Sequence, residues 1–249
     1  ELPPPYVAPT PRWIRVRAGD TEIANSRRAL LLAWYGPGKL PTYCLPAEDV
    51  STEFLQPHDG PPGDGFRIDH DVRVGDLSLP RAAQLFRNPP APLEAVDGHW
   101  TFTWDQGLSW FEEAFEVHVH ARDPSKRVDV VPSERQVRVE IGGEVVAESR
   151  RPHALFESWL PTRWYLPLDD VRQDLLVPSD TVTRCPYKGT ASYWSVRAGD
   201  GVVRDVAWTY RDPIPECPRI RGLVAFFNER VDLVVDGERQ ERPRTPWSE

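Results

Sequence analysis

Arg15-Val16-Arg17-Ala18-Gly19-Asp20, running on to Ala24-Asn25-Ser26-Arg27-Arg28, returns at an offset of 123 as Arg138-Val139-Glu140-Ile141-Gly142-Gly143, running on to Ala147-Glu148-Ser149-Arg150-Arg151. Seven of the fifteen positions from Arg15 to Ala29 are identical at this offset. After a two-residue difference in loop length the match resumes. Tyr43-Cys44-Leu45-Pro46-Ala47-Glu48-Asp49-Val50 lies against Trp164-Tyr165-Leu166-Pro167-Leu168-Asp169-Asp170-Val171. The ends align as Arg127-Val128-Asp129-Val130-Val131 against Arg230-Val231-Asp232-Leu233-Val234. A period above one hundred residues is that of a duplicated domain, not a solenoid. The expected copies run over 12–132 and 136–240.

Each copy opens as a hairpin. Val137 to Ile141 alternates as a strand, Gly142-Gly143 turns, and Glu144 to Ser149 returns. Pro152 to Ser158 reads as a short helical turn. Later strands are expected over 192–197, 203–210, 222–227 and 231–235, punctuated by Asp200-Gly201 and Asp236-Gly237. The fold class that follows is mainly β: two tandem, related, small antiparallel β domains packed pseudo-symmetrically, with few short helices. The 27 prolines among 249 residues point the same way, because proline removes a donor and breaks helices.

Hydrophobic residues make up 40% and there are ten Trp, enough for a core in each copy. The formal charge of −8 argues against bulk nucleic-acid binding, which needs clustered Lys and Arg, although a local basic groove stays open. No stretch approaches the roughly 18 apolar residues of a membrane span, and no signal-peptide core is present. The chain opens at Glu1 and contains no Met, which fits a start that was trimmed or left off. Cys44, Cys185 and Cys217 are an odd number with no C-x-x-C pair, which argues against a disulfide scaffold and a four-thiolate zinc site. A reducing, cytoplasmic setting is expected, with no membrane or nucleic-acid partner, no cofactor and no metal.

The copies then diverge. The second carries Thr183-Arg184-Cys185-Pro186-Tyr187-Lys188-Gly189-Thr190-Ala191-Ser192-Tyr193, which gathers a thiol, a phenol and an ammonium beside a glycine. The first has no counterpart. In its place Pro57 to Asp97, rich in Pro, Gly and Asp, reads as an insertion that is either a packed loop or a lid. Pro186 fixes φ and Gly189 permits positive φ, so the segment should turn sharply and let its side chains converge. Cys185 is then a candidate nucleophile, assisted by Lys188 or Tyr187, if nearby charge lowers its pKa. Otherwise it is a packed structural cysteine. Trp159, Trp164, Tyr193, Trp208 and Tyr210 sit in or beside strands and serve either as aromatic core or as a ligand cage.

The second copy resembles the bacterial family catalogued as domain of unknown function 427. The resemblance spans about 138–238. It rests on Trp164-Tyr165, Leu176-Val177-Pro178-Ser179-Asp180-Thr181, Cys185-Pro186-Tyr187-Lys188-Gly189, Ala207-Trp208-Thr209-Tyr210-Arg211-Asp212-Pro213 and Val224-Ala225-Phe226-Phe227-Asn228. The first copy looks like a degenerate member, so the chain resembles a tandem arrangement. The resemblance implies a β-tent, or Mss4-like, fold of two small antiparallel sheets leaning together. That group often carries zinc on paired C-x-x-C knuckles, which are lacking here. The family is at times labelled nucleotidyltransferase-like. Such chemistry needs paired carboxylates after a Gly-Ser turn to hold two metals, and the sole Asp-x-Asp, Asp69-His70-Asp71, has no such turn before it.

Other polar groups have structural as well as functional readings. Arg150-Arg151 recurs as Arg27-Arg28, which suits a role in the fold, bonding Asp170 and Asp49, or an anion site at Arg151. Ser179-Asp180-Thr181 reads as a turn or cap. His153 is a surface histidine or a base for Cys185. His118 and His120, two apart on an apparent strand near the counterparts of Val224 and Phe226, would face one side and could hold a metal, but no third ligand is evident. The function expected first is binding of a small-molecule ligand in an aromatic pocket of the second copy. That pocket is formed by Trp164, Tyr165, Tyr187, Tyr193 and Trp208, with Arg151 at the ligand and Lys188 polarising the site. The alternatives are an enzyme using Cys185 with Lys188 and Tyr187, and a protein-interaction scaffold using the Pro-rich segment.

Overall fold

The computed structural model describes residues 2–60, 65–199, 201–245 and 248. The chain divides into two compact units, Glu1–Asp123 and Pro124–Glu249. The first contains β1 (Tyr6–Pro9), β2 (Ile14–Ala18), β3 (Thr21–Ser26), β4 (Leu30–Ala33), β5 (Thr42–Pro46), β6 (Leu55–Pro57), β7 (Arg67–Val74), β8 (Leu77–Phe86), β9 (His99–Phe102), β10 (Leu108–Glu112) and β11 (Phe115–Val117). The second contains β12 (Val128–Pro132), β13 (Val137–Ile141), β14 (Glu144–Ser149), β15 (His153–Glu157), β16 (Arg163–Leu166), β17 (Leu176–Cys185), β18 (Gly189–Ala198), β19 (Gly201–Thr209), β20 (Val224–Phe226), β21 (Asp232–Val235) and β22 (Glu238–Arg239). Helix among the described residues is confined to 3₁₀ turns of three residues.

Each unit has a seven-stranded and a four-stranded antiparallel sheet. The first unit's orders are β1-β4-β5-β9-β8-β7-β6 and β11-β10-β2-β3. The second repeats them as β12-β15-β16-β20-β19-β18-β17 and β14-β13-β21-β22. The duplicated hairpin explains itself at atomic level. Val137, Val139 and Ile141 point into the core while Arg138 faces outward, as period-two alternation requires. A bulge breaks the register after Val16 in one hairpin and after Val139 in the other. Ser26 donates to Asp49 at 2.8 Å and Ser149 to Asp170 at 2.7 Å, and each serine Oγ accepts the amide of Arg28 or Arg151. Arg28 and Arg151 then bond those same carboxylates, at 2.7 and 3.2 Å. The recurrent Ser-Arg-Arg thus ties the hairpin to the 3₁₀ turn after the fifth strand of each unit.

The main core of each unit lies between its two sheets. Ile14, Val16, Tyr43, Leu45, Trp100 and Trp110 build it in the first, and Val137, Val139, Trp164, Leu166, Phe226 and Leu233 in the second. A smaller cluster covers the opposite face of each seven-stranded sheet. It contains Leu32, Cys44, Phe86, Leu93 and Val96 in the first unit, and Leu155, Tyr165, Trp208, Tyr210, Cys217 and Ile220 in the second.

Several expectations change. Pro57 to Asp97 is not an unmatched insertion: β7 and β8 hold the sheet positions of β18 and β19. The Pro, Gly and Asp residues that flank it disguised a hairpin whose outer strand is half exposed. Within it, 61–64 lie outside the described residues, as does Asp200 of the expected Asp200-Gly201 turn. Val128 to Pro132 does not end the first copy. It opens the second as the counterpart of β1, while β21 corresponds to β10, so the boundaries 12–132 and 136–240 give way to a division after Asp123. Within 152–158 the structure has the strand β15, not a helical turn, because β12 and β16 take the hydrogen bonds on both sides of it. A short apolar run fits either state by pattern alone. Ser179 to Thr181 lies inside β17, where the register slips between Pro178 and Val182, rather than in a cap.

Candidate functional site

Adjacent residues of a strand face opposite sides of the sheet, and this divides the expected aromatic pocket. Trp164 points into the inter-sheet core, where Arg135 lies 5.5 Å from its ring centre. It borders a shallow depression of about 240 Å³ with Pro161, Thr162, Asn228 and Gln240. Tyr165 points the other way. Across that face the register runs His153, Tyr165, Ala225, Trp208, Tyr193 on five successive strands. Trp208 Nε1 donates to the Tyr165 hydroxyl at 3.1 Å, Tyr193 shares a hydrogen bond with Thr183 at 2.9 Å, and Phe227 packs on both Trp208 and Tyr193. Tyr165, Tyr193 and Trp208 therefore stand together, and Trp164 does not join them. Arg151 is engaged by Asp170 as its counterpart Arg28 is by Asp49, which accounts for it within the fold.

The Cys185–Gly189 turn closes over this same face. Cys185 pairs with Gly189, and the Lys188 amide donates to the Cys185 carbonyl at 3.3 Å. Gly189 sits at φ +105°, and a Cβ there would lie 3.2 Å from the Ile214 amide nitrogen, so the glycine is required by backbone packing. Lys188 Nζ meets Glu157 Oε2 at 2.5 Å, and Lys126 Nζ meets Glu157 Oε1 at 3.2 Å. Glu157 is on β15, four strand spacings from β18. In a flat sheet that is ~19 Å, so the contact requires the sheet to curl and bring its ends together.

All three charged groups are largely buried, with the Glu157 side chain 5% exposed. Burial opposes the Glu157 charge, but Lys188 and Lys126 hold its carboxyl below the ordinary range. Burial likewise works against the Lys188 ammonium, yet Cys185 and Glu157 keep its pKa above the usual value. For Cys185 burial wins over Lys188 and pushes the thiol up, away from the thiolate that nucleophilic chemistry needs. Cys217, nearby in the same cluster, is pushed up to about 11 by burial.

The rim is aromatic. Lys126 lies 5.4 Å from the Trp159 ring centre and 5.8 Å from that of Tyr187. Trp159 is 36% exposed and held at φ +65°, a backbone state that a bulky residue seldom occupies. Beside the site, Arg163 is bidentate to Glu229 at 2.6 and 2.7 Å and 5.8 Å from the Trp208 ring centre. Glu157, Lys126, Arg163 and Glu229 carry no signal in the sequence. Lys126 precedes Lys188 by 62 positions, and Glu157 fell in a segment read as helical.

Elsewhere the polar candidates have partners. His118 and His120 do not share a strand: β11 ends at Val117 and Val119 has φ +73°. His118 faces Asp105 at 3.1 Å and His120 Nδ1 faces the Ala121 carbonyl at 2.7 Å. The strand corresponding to β20 is β9, not this segment. Asp69 accepts from Gln84, while Asp71 binds His58 and the Arg81 amide. No cluster of three or more His, Cys, Asp or Glu is placed to hold a metal among the described residues. No helix among them is long and apolar enough to cross a membrane.

Residues 6–113 and 129–237 each match the family described as a domain of unknown function (DUF427). The chain belongs to this family. It does so twice over, and the first match runs straight through 57–97, in agreement with the sheet positions of β7 and β8. No curated protein matches this DUF427 chain.

Proposed function

We propose that the second DUF427 unit is a binding module for a small organic anion, seated at the Trp159–Lys126–Tyr187 rim above the Lys188–Glu157 pair. The observation that carries this reading is Trp159, a large ring exposed at positive φ directly over a lysine. Strained backbone persists where the surroundings over-determine it, and it concentrates at ligand clamps. Lys126 and Lys188 both meet Glu157 in a poorly solvated place, so two ammonium groups lie close together beneath the rim, a setting that attracts an anion. The two rings supply an apolar body contact beside that charge. The raised thiol of Cys185 favours binding over nucleophilic catalysis.

The test is a thermal-shift panel of monocarboxylates, phosphomonoesters and their neutral amide or alcohol analogues, repeated with Lys126→Met and Trp159→Ala. Anions should raise the melting temperature and neutral analogues should not, and both variants should lose the shift. If no anion stabilises the protein, or if Lys126→Met retains the full effect, the reading fails.

A further inference from the structure

The outer face of the first unit's four-stranded sheet is finished differently from its duplicate. Arg15 stacks 4.4 Å from the Trp13 ring centre and 5.3 Å from that of Phe111. Arg17 lies 5.4 Å from Phe111, and Arg27 lies 5.2 Å from Trp13. Three guanidinium groups are thus laid on two rings. Arg15 spends part of its capacity on the Glu113 carbonyl and faces Glu22 at 3.8 Å. Arg17 and Arg27 make no hydrogen bond or ion pair among the described residues.

The second unit is an internal control. There the positions of Trp13, Arg15, Arg17, Arg27 and Phe111 hold Gln136, Arg138, Glu140, Arg150 and Val234. Arg138 pairs with Glu140 at 2.9 Å, and Arg150 donates to Gln136 at 3.3 Å. The same hairpin folds with Arg138 ion-paired and Arg150 on an amide oxygen, and without the two rings, so the fold does not demand the arginine–aromatic face. That face also runs against its surroundings, because residues 1–123 carry 11 Lys and Arg against 18 Asp and Glu.

We propose that the outer face of β2, β3 and β10 is a docking surface for an extended acidic segment of a partner protein. Arg15 and Arg17 are two apart on one strand, about 6.8 Å along it, the spacing of alternate side chains in an extended peptide. Stacking fixes each guanidinium, and the terminal Nη groups of Arg17 and Arg27, which no described residue of the chain engages, are left for a carboxylate. A nucleic-acid strand fits less well: the rings that would stack on bases are already covered by arginine, and the acidic unit repels a long polyanion.

The experiment is fluorescence polarisation of the full chain with a fluorescein-labelled peptide alternating Glu and Thr, beside a labelled oligothymidylate of equal length. Arg17→Gln with Arg27→Gln should weaken the peptide roughly tenfold, while Arg150→Gln on the other unit's face should leave it unchanged. Melting curves verify folding. Should the Gln pair not fold, Arg17→Lys with Arg27→Lys keeps the charge, loses the fork and should still weaken binding. No peptide binding, undiminished binding in a folded Gln pair, equal loss in Arg150→Gln, or tighter binding of the oligonucleotide would each overturn the proposal.

Discussion

Across the second unit's seven-stranded sheet one row of residues reads His153, Tyr165, Ala225, Trp208, Tyr193. The matching row of the first unit reads Leu30, Cys44, Thr101, Gln84, Asp69, with Cys44 and Thr101 one step beyond the Leu45–Trp100 pair. The backbone register is the same and the chemistry is not. What the units share is the inter-sheet core, the bulge after Val16 or Val139, and the serine–arginine–aspartate tie. Those features set strand order and register. The face beyond them is left free to become a buried charge cluster in one unit and, in the other, a small patch in which Leu30 and Cys44 give way to the Gln84–Asp69 hydrogen bond.

The sharpest way to break this comparison is at Arg163 and its counterpart Thr42. Arg163 is 7% exposed and the Glu229 carboxylate that it holds is fully buried. Arg163→Ala would strand that charge and should cost the second unit about 3–5 kcal/mol. Thr42 shares a hydrogen bond with Thr101 at 2.7 Å and accepts one from Trp104 at 3.1 Å, so Thr42→Ala should cost the first unit only about 1 kcal/mol. Hydrogen exchange resolved by mass spectrometry reads β16 and β5 separately. Equal losses in the two strands would mean that the buried pair adds nothing particular to the second unit.

Glu157→Gln comes next, at about 2–3 kcal/mol near neutral pH, because it removes the counter-charge of two buried ammonium groups. The pH dependence has a definite sign. The folded Glu157 carboxyl titrates below its unfolded value of about 4.3. Its contribution is therefore complete above that value and disappears as pH falls through the folded pKa. The stability gap between wild type and Glu157→Gln should shrink on acidification. A gap that stays constant from neutral pH into the acid range would show that the carboxylate charge is not what matters. Smaller again is Gly189→Ala, at about 1–3 kcal/mol from positive φ plus a backbone collision. Gly142→Ala, with nothing within 4 Å of the added carbon, should cost only the backbone term, about 1 kcal/mol.

The duplication, the β class and the hairpins were legible because they rest on local signals: alternation, Gly-Gly turns and a repeated Ser-Arg-Arg. The Cys185–Gly189 turn was legible for the same reason, since Pro186 and Gly189 announce it. Opposite faces of one strand were legible too, and placing Trp164 and Tyr165 in one pocket ignored that rule. Glu157 and Lys126 could not be read. Their meeting with Lys188 depends on how far a sheet curls, which no residue pattern encodes. β7 and β8 escaped because strands with one half-solvated face, carrying Asp69, Asp71 and Arg73, imitate a loop in composition.

The finest comparison concerns the turn after the fourth strand of the first unit and β15 of the second. The first unit places Gly38 at φ +65°, and the second places Trp159 at the same angle. A glycine adopts that state without penalty, whereas any side chain is strained there. Trp159→Gly and Trp159→Ala both delete the ring over Lys126, so their difference isolates the backbone. The glycine variant should be the more stable by about 1 kcal/mol, read from urea unfolding of the second unit. Both should lose the anion-dependent melting shift to the same extent, because the ring is gone from each. Equal stability would mean that the turn carries no strain, and Trp159 would then lose its standing as a residue kept at a cost. An anion response that survived in the glycine variant alone would place the site in the turn's backbone rather than in the ring.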